Sequence, residues 1–222
     1  VNKLPKTYQI KGLDLQLNYS VGISAFGKRD DFEFWLKRGY LALHNAKHSL
    51  SKVSSSSADS SLAMDVALAA KLQQAIRTDQ LALFYQPQIS LKDNSVNGAE
   101  ALLRWPNTEF KNISIEKLIL LAEHTGIINE LTLWVIEQAC KDIAKLANEG
   151  ITEHSISVNL SAKNLAIANL TEKVENLLIK YQVAPHLLKF ELTESAFVEN
   201  QDALVTLVGE LATLGVKVVL DD

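Results

Sequence analysis

The 222-residue chain has one cysteine, Cys140. A single thiol excludes an internal disulfide and fits a reducing compartment, so a cytoplasmic location is expected. Cys140 falls on the apolar stripe Leu131, Val135, Ile136, Ala139, Ile143 and Ala147, where a small buried core thiol is the ordinary reading. No apolar run reaches the length of a membrane span, so no membrane contact is expected within this segment. There is also no long basic run. With a net charge of −4, a broad nucleic-acid-binding surface is excluded and DNA is not an expected partner. Gly98 and Gly126 stand alone, so no glycine-rich phosphate loop is present. His44 and His48 are four apart on a predicted helix, but no Glu follows His44, and a metalloprotease pair is set aside in favour of surface histidines. The opening Val1-Asn2-Lys3-Leu4-Pro5 is no signal peptide. Lacking an initiator Met, it reads as a cut end, and the parent protein is left free to carry a membrane anchor upstream.

What is present is ordinary globular material, 47% apolar and 22% charged, enough for one large domain or two modest ones. Leu13, Leu15, Leu17, Tyr19, Val21 and Ile23 alternate with polar residues or glycine, which predicts one half-buried strand. A polar turn at 27–31 precedes a predicted helix over 32–50. One strand and one helix cannot bury a stable core by themselves. Ser49 to Ser61 contains eight serines and reads as a linker, with Ser60 or Ser61 as the cap of a helix over 62–78.

From Leu81 the pattern becomes strand, helix, strand, helix. Strands are predicted at 81–89, 96–105, 155–160, 187–194 and 216–222, and helices near 115–124, 129–149, 172–181 and 202–214. Gly150 and Gly215 sit where helix C-terminal glycines belong. Lys92-Asp93-Asn94 predicts an antiparallel pairing of the first two strands, and the later alternation predicts parallel ones. A doubly wound sheet and a barrel both satisfy this pattern.

The polar residues inside these strands carry the chemistry. Glu100 lies opposite the apolar face of Ala99, Ala101, Leu103 and Trp105, in company with Leu102 and Arg104. Asn159 opposes Ile156, Val158 and Leu160, sharing its face with Ser155, Ser157 and Ser161. Glu191 opposes Leu188, Phe190 and Leu192, beside Lys189 and Thr193. Asp221 opposes Val216, Val218 and Leu220, and Asp222 follows at once. Carboxylates gathered at strand ends repel one another unless a cation sits among them. Three carboxylates and one carboxamide are hard oxygen donors suited to Mg²⁺ or Mn²⁺. An adjacent Asp pair can serve two ions, which suits in-line displacement at phosphorus. Taken singly, each residue has a plainer reading: a solvated Glu, a turn at Asp221-Asp222, an Asn that braces a loop.

Taken together, Tyr85-Gln86-Pro87, Glu100-Ala101-Leu102-Leu103-Arg104-Trp105, Leu121-Ala122-Glu123, residues 134–140, Val158-Asn159-Leu160-Ser161, Glu191-Leu192-Thr193-Glu194-Ser195 and Asp221-Asp222 resemble, in order and spacing, the EAL family of cyclic di-GMP phosphodiesterases over residues 70–222. The resemblance implies a TIM-like (β/α) barrel, here partial, with an antiparallel first strand. It implies hydrolysis of one phosphodiester bond of cyclic di-GMP to the linear dinucleotide, in bacterial second-messenger signalling. Two Mg²⁺ or Mn²⁺ ions per intact site are implied, with Glu100, Asn159, Glu191 and Asp221 on one and Asp222 on the second, Asp221 bridging. Glu100, Asp221 and Asp222 are thereby the implied catalytic residues. Arg104 is implied to meet a ligand phosphate, Gln86 and Leu102 to line the pocket, and Glu194 to hold the neighbouring loop. A homodimer through this domain is also implied.

Leu15 to Ile23 and Tyr40 to Lys47 resemble, more weakly, the late strand and last helix of a GGDEF domain, so residues 1–50 are expected to be the C-terminal end of one, and Gly39-Tyr40, where that family carries an acidic residue, implies a degenerate copy. Residues 51–69 are expected to be a serine-rich linker and the start of a connecting helix. The family continues past Asp222 with a Phe-Gly loop, a Lys, a further Glu and a late Gln. None is present here, so the polypeptide as written is not expected to hydrolyse by itself. A non-catalytic cyclic di-GMP-binding module, and a dimerisation or scaffold piece, are the alternative readings.

Overall fold

The computed structural model describes residues 7–10, 13–16, 19–26, 32–48, 53–56, 58–106, 113–193 and 201–221. The chain divides into two compact units, Val1–Ala70 and Lys71–Asp222. In the first, β1 (Thr7–Ile10) and β2 (Leu13–Gln16) pair antiparallel. Strand β3 (Val21–Ser24) pairs in parallel with β4 (Val53–Ser56), and helix α1 (Phe32–His48) lies between them in sequence. The helix is tied to the end of β3: the Trp35 indole donates to the Ser24 carbonyl at 2.9 Å and Arg38 to the Ala25 carbonyl at 2.7 Å.

Two expectations for this unit are corrected. The alternation over 13–23 does not make one strand, because β2 folds back onto β1 while β3 belongs to a different pairing; residues 17 and 18 lie outside the described residues. The serine-rich stretch is not linker throughout, since β4 occupies part of it. A ladder is held by backbone groups, which serine supplies as well as any residue. Helix α2 (Ala58–Arg77) begins ahead of the expected cap, so Ser60 and Ser61 lie within it.

In the second unit, five strands form one sheet in the order β5-β6-β7-β8-β9. Strands β5 (Ala82–Ile89) and β6 (Val96–Arg104) are an antiparallel hairpin. Its turn is fastened by Asp93, whose carboxylate accepts from the Ser95 amide at 3.1 Å and hydroxyl at 2.8 Å, and Asn94 takes the left-handed backbone at φ 58°. Strands β7 (Ser155–Leu160), β8 (Leu188–Thr193) and β9 (Lys217–Asp221) follow in parallel. Between them run α3 (Ile115–Thr125), α4 (Ile128–Asn148), α5 (Leu170–Tyr181) and α6 (Gln201–Leu214). Gly150 (φ 87°) and Gly215 (φ 91°) close α4 and α6 in the left-handed conformation glycine adopts without penalty. Two 3₁₀ turns, Ala162–Ala166 and Pro185–Leu187, have no counterpart in the sequence reading.

The strictly sequential strand order decides between the two architectures. A doubly wound sheet reverses its order and covers both faces. Here a single core joins Ile156, Val158, Leu160, Leu188, Phe190 and Leu192 of the sheet to residues of α4, α5 and α6. All three helices therefore cover one face, as in a (β/α) barrel, and the other face is the interior wall. Among the described residues no helix is long and apolar enough to cross a membrane.

Candidate functional site

The interior wall is built in layers. On β7, Ser155 and Ser157 are buried while Asn159, two residues further along the same face, is exposed. Small polar side chains fill the bottom and leave the C-terminal end of the strands open. Gly98 belongs to the filled layer. It pairs with Ser155, and a Cβ there would come within 2.6 Å of both the Ser155 carbonyl oxygen and its hydroxyl. Strands β6 and β7 approach this closely only because residue 98 has no side chain.

Above that layer lie the predicted polar residues. The Asn159 amide nitrogen donates to Glu100 Oε1 at 2.7 Å. Asn159 and Glu191 are direct neighbours in the β7–β8 register. Glu100, Asn159 and Glu191 thus form a row across three adjacent strands, from a half-buried carboxylate through an exposed carboxamide to a buried carboxylate. Asp221 stands at the end of β9 in register with Thr193, two residues beyond the Glu191–Val219 pair; its side chain is outside the described set. Asp222 and Glu194 lie outside the described residues.

The ligand-side residues occupy the hairpin. Gln86 is paired with Glu100 across β5 and β6 and is exposed. Leu102 faces Phe84 in the same register. Arg104 donates through Nη1 to its neighbouring Leu103 carbonyl at 2.8 Å, and its guanidinium carbon lies 5.8 Å from the centre of the Phe84 ring. A planar cation stacked on an exposed aromatic is held in place while still presenting an edge to solvent.

Three side chains without an assigned role in the sequence also line this wall. Gln88 donates from Nε2 to Glu191 Oε1 at 2.9 Å, and its Oε1 lies 3.5 Å from the Ser157 hydroxyl. Lys189 sits on the Glu191 face one layer lower, in register with Lys217. Burial, helped by the Lys217 charge, lowers its ammonium below the usual lysine range, against the opposing pull of Glu191. Gln88 shares the period-two parity of Gln86, the only sequence signal for it.

A divalent cation suits this donor set. Asn159 spends its amide nitrogen on Glu100, which leaves its carbonyl oxygen as the donor beside Glu191. The ligating atoms are then oxygens only, as hard cations prefer. Among the described residues, no three His, Cys, Asp or Glu side chains gather. The row reaches three members only by counting the carboxamide.

Comparison with known proteins agrees with this fold. The family model described as EAL domain matches residues 69–222. Over its full length the chain is 32% identical to the cyclic di-GMP phosphodiesterase NbdA and 30% identical to the bifunctional diguanylate cyclase/cyclic di-GMP phosphodiesterase MucR, both of Pseudomonas aeruginosa. It spans only 29% and 33% of those proteins' own lengths. Among solved structures, the PaMucR phosphodiesterase in complex with c-di-GMP matches with a TM-score of 0.66 and 35% identity, over 70% of this chain and 63% of that one.

Proposed function

We propose, from the premise that this chain belongs to the EAL-domain family, that the parent protein carrying it hydrolyses cyclic di-GMP to the linear dinucleotide by a metal-dependent in-line displacement. The observation that supports the reading is the Glu100–Asn159–Glu191 row, in which the Asn159 amide nitrogen donates to Glu100 at 2.7 Å and its carbonyl oxygen is not used in that bond.

In this reading Glu100, Asn159, Glu191, Asp221 and Asp222 would hold two divalent ions, Mg²⁺ or Mn²⁺. When bound, the two ions activate the attacking water and offset charge at phosphorus. Arg104, steadied on Phe84, meets a phosphate oxygen through its remaining N–H groups. Gln86 and Leu102 flank the ligand beside Glu100, and Glu194 holds the adjoining loop. Lys189 and Lys217 form a cationic floor beneath the carboxylates, easing their mutual repulsion before a metal arrives. Residues 1–50 are proposed as the C-terminal end of a degenerate GGDEF domain, and the EAL unit as the homodimer surface.

The test is calorimetric titration of cyclic di-GMP in Ca²⁺, where turnover is suppressed, followed by product analysis in Mn²⁺. Micromolar binding that weakens at least about tenfold in Glu100→Ala is the expected result, as for loss of a metal ligand or its support. Binding that is indifferent to Glu100→Ala and to chelation overturns the site. Binding without linear product in Mn²⁺, measured on the protein that carries the domain in full, replaces the enzyme by a sensor.

A further inference from the structure

We infer that Gln88 is a positioning residue for Glu191, holding that carboxylate so that it offers a cation one oxygen rather than two. The inference rests on the metal-site reading above and extends it to a side chain on the opposite edge of the sheet.

Gln88 lies on β5 and Glu191 on β8, with β6 and β7 between them. A glutamine cannot span three strand spacings across a flat, filled sheet, because each neighbouring strand adds about 4.8 Å. Two local features close the distance. The β5–β6 register breaks between Gln88 and Ile89, where Gln88 pairs with Gly98 but Ile89 pairs with Val96. The extra residue, Asn97, lies on β6, and a bulge of this kind bends its own strand and raises the local twist of the pair beside Gln88. The residue opposite Gln88 is also Gly98, which has no side chain, so that Ser155 of β7 closes to within 2.6 Å of where a Cβ would stand and β6 and β7 draw together.

The amide is then held at both ends. Nε2 donates to Glu191 Oε1 at 2.9 Å, and Oε1 lies within 3.5 Å of the buried Ser157 hydroxyl. Glu191 is itself 9% exposed, so its carboxylate has little room to swing. With one lone pair of Oε1 committed to the Gln88 donor and the carboxylate plane fixed by it, Oε2 is the less encumbered oxygen for a cation. A carboxylate fixed in this way favours a small ion with strict geometry, Mg²⁺ or Mn²⁺. One free to rotate also suits Ca²⁺, which accepts two-oxygen ligation at longer distance.

The experiment measures Mn²⁺ and Ca²⁺ affinities of the chain by calorimetry, without nucleotide, for wild type, Gln88→Met and Ser157→Ala. Methionine keeps the length of glutamine and removes its donor. Mn²⁺ affinity is expected to fall about 10–100-fold in Gln88→Met, as for loss of a ligand-orienting partner, while Ca²⁺ affinity falls less, so the Mn²⁺/Ca²⁺ preference narrows. Ser157→Ala, a smaller change made one contact further away, is expected to shift the same ratio in the same direction by a smaller factor. A merely structural role lowers the unfolding midpoint and leaves the ratio unchanged, which overturns the inference. Unchanged Mn²⁺ affinity in a folded Gln88→Met also overturns it, while the metal site itself stands. Wild-type protein that binds neither ion removes the site reading and the inference together.

Discussion

Gly98→Ala is the sharpest test of how this wall is built. In most strands the exchange stabilises, because alanine narrows the unfolded ensemble by about 0.4–1 kcal/mol. Here the added carbon arrives 2.6 Å from the Ser155 carbonyl oxygen and 2.6 Å from its hydroxyl, where ordinary contact begins near 3.4 Å. About 0.8 Å must be found, the difference between those two distances. One of the obstructing atoms is backbone, so β6 and β7 have to part rather than a side chain turn away. Overpacking of this kind costs about 1–3 kcal/mol, leaving a net loss of about 1–2 kcal/mol once the entropic gain is subtracted. At a urea m value of about 2 kcal/mol/M the midpoint falls by about 0.5–1 M. The assay is urea unfolding followed by tryptophan fluorescence in a Trp35→Phe background, so that Trp105 and Trp134 report on the second unit alone. Adding Ser155→Ala removes the hydroxyl but not the carbonyl, so it should restore less than half of the loss. A Gly98→Ala midpoint at or above that of the parent refutes the close-approach argument, and with it the route by which Gln88 reaches Glu191.

Further outcomes follow from contacts away from this layer. Glu137 accepts from Lys180 at 2.7 Å and from the Tyr181 hydroxyl at 2.6 Å, and these bonds hold its carboxyl below the usual carboxylate range. A depressed carboxylate stabilises above its unfolded pKa of about 4.3, and the benefit is lost as pH falls through the lower folded value. Lys180→Met should therefore flatten the fall of the melting temperature between about pH 5 and pH 3, and an unaltered slope would count against the pair. Cys140 is fully buried, and burial, with the Glu137 charge adding to it, pushes its thiol up to about 12. Aromatic disulfide reagents should label it at least about 100-fold more slowly in the native chain than in urea, and rapid native labelling would contradict its place in the core. Arg104→Lys keeps the charge but loses the planar fork stacked over Phe84. Cyclic di-GMP affinity should fall by about tenfold or more, whereas equal affinity would reduce Arg104 to a point charge.

How much of this was legible in the sequence depends on whether a signal was local. Strand parity is local: Glu100, Asn159 and Glu191 are assigned to the inner face by counting twos along each strand, and the fold brings Asn159 into contact with Glu100 and beside Glu191. Capping glycines are local too, and Gly150 and Gly215 lie where the periodicity places a helix end. The first unit was read less well, because the alternation from Leu13 to Ile23 specifies faces and not partners. Nothing in it says that β2 turns back on β1 while β3 waits for a serine strand about 30 residues later. Serine composition suggested a linker for the same reason, since a parallel ladder is paid for by backbone groups that composition does not report.

Gln88 shows the same limit at the site. Its parity with Gln86 was available, and Gly98 looked like an isolated glycine of no consequence. Their meaning lies in a relation among four positions, Gln88, Gly98, Ser157 and Glu191, the first and last of which are 103 positions apart in sequence. A bulge, a missing Cβ and a curved sheet must all be in place before an amide on one strand can restrain a carboxylate three strands away. Each is weak evidence in a sequence, where a glycine within a strand has many uses. Only the fold makes them one device. Residues that ligate can therefore be found by their chemistry and spacing, whereas residues that aim the ligands must be found by what lies between them.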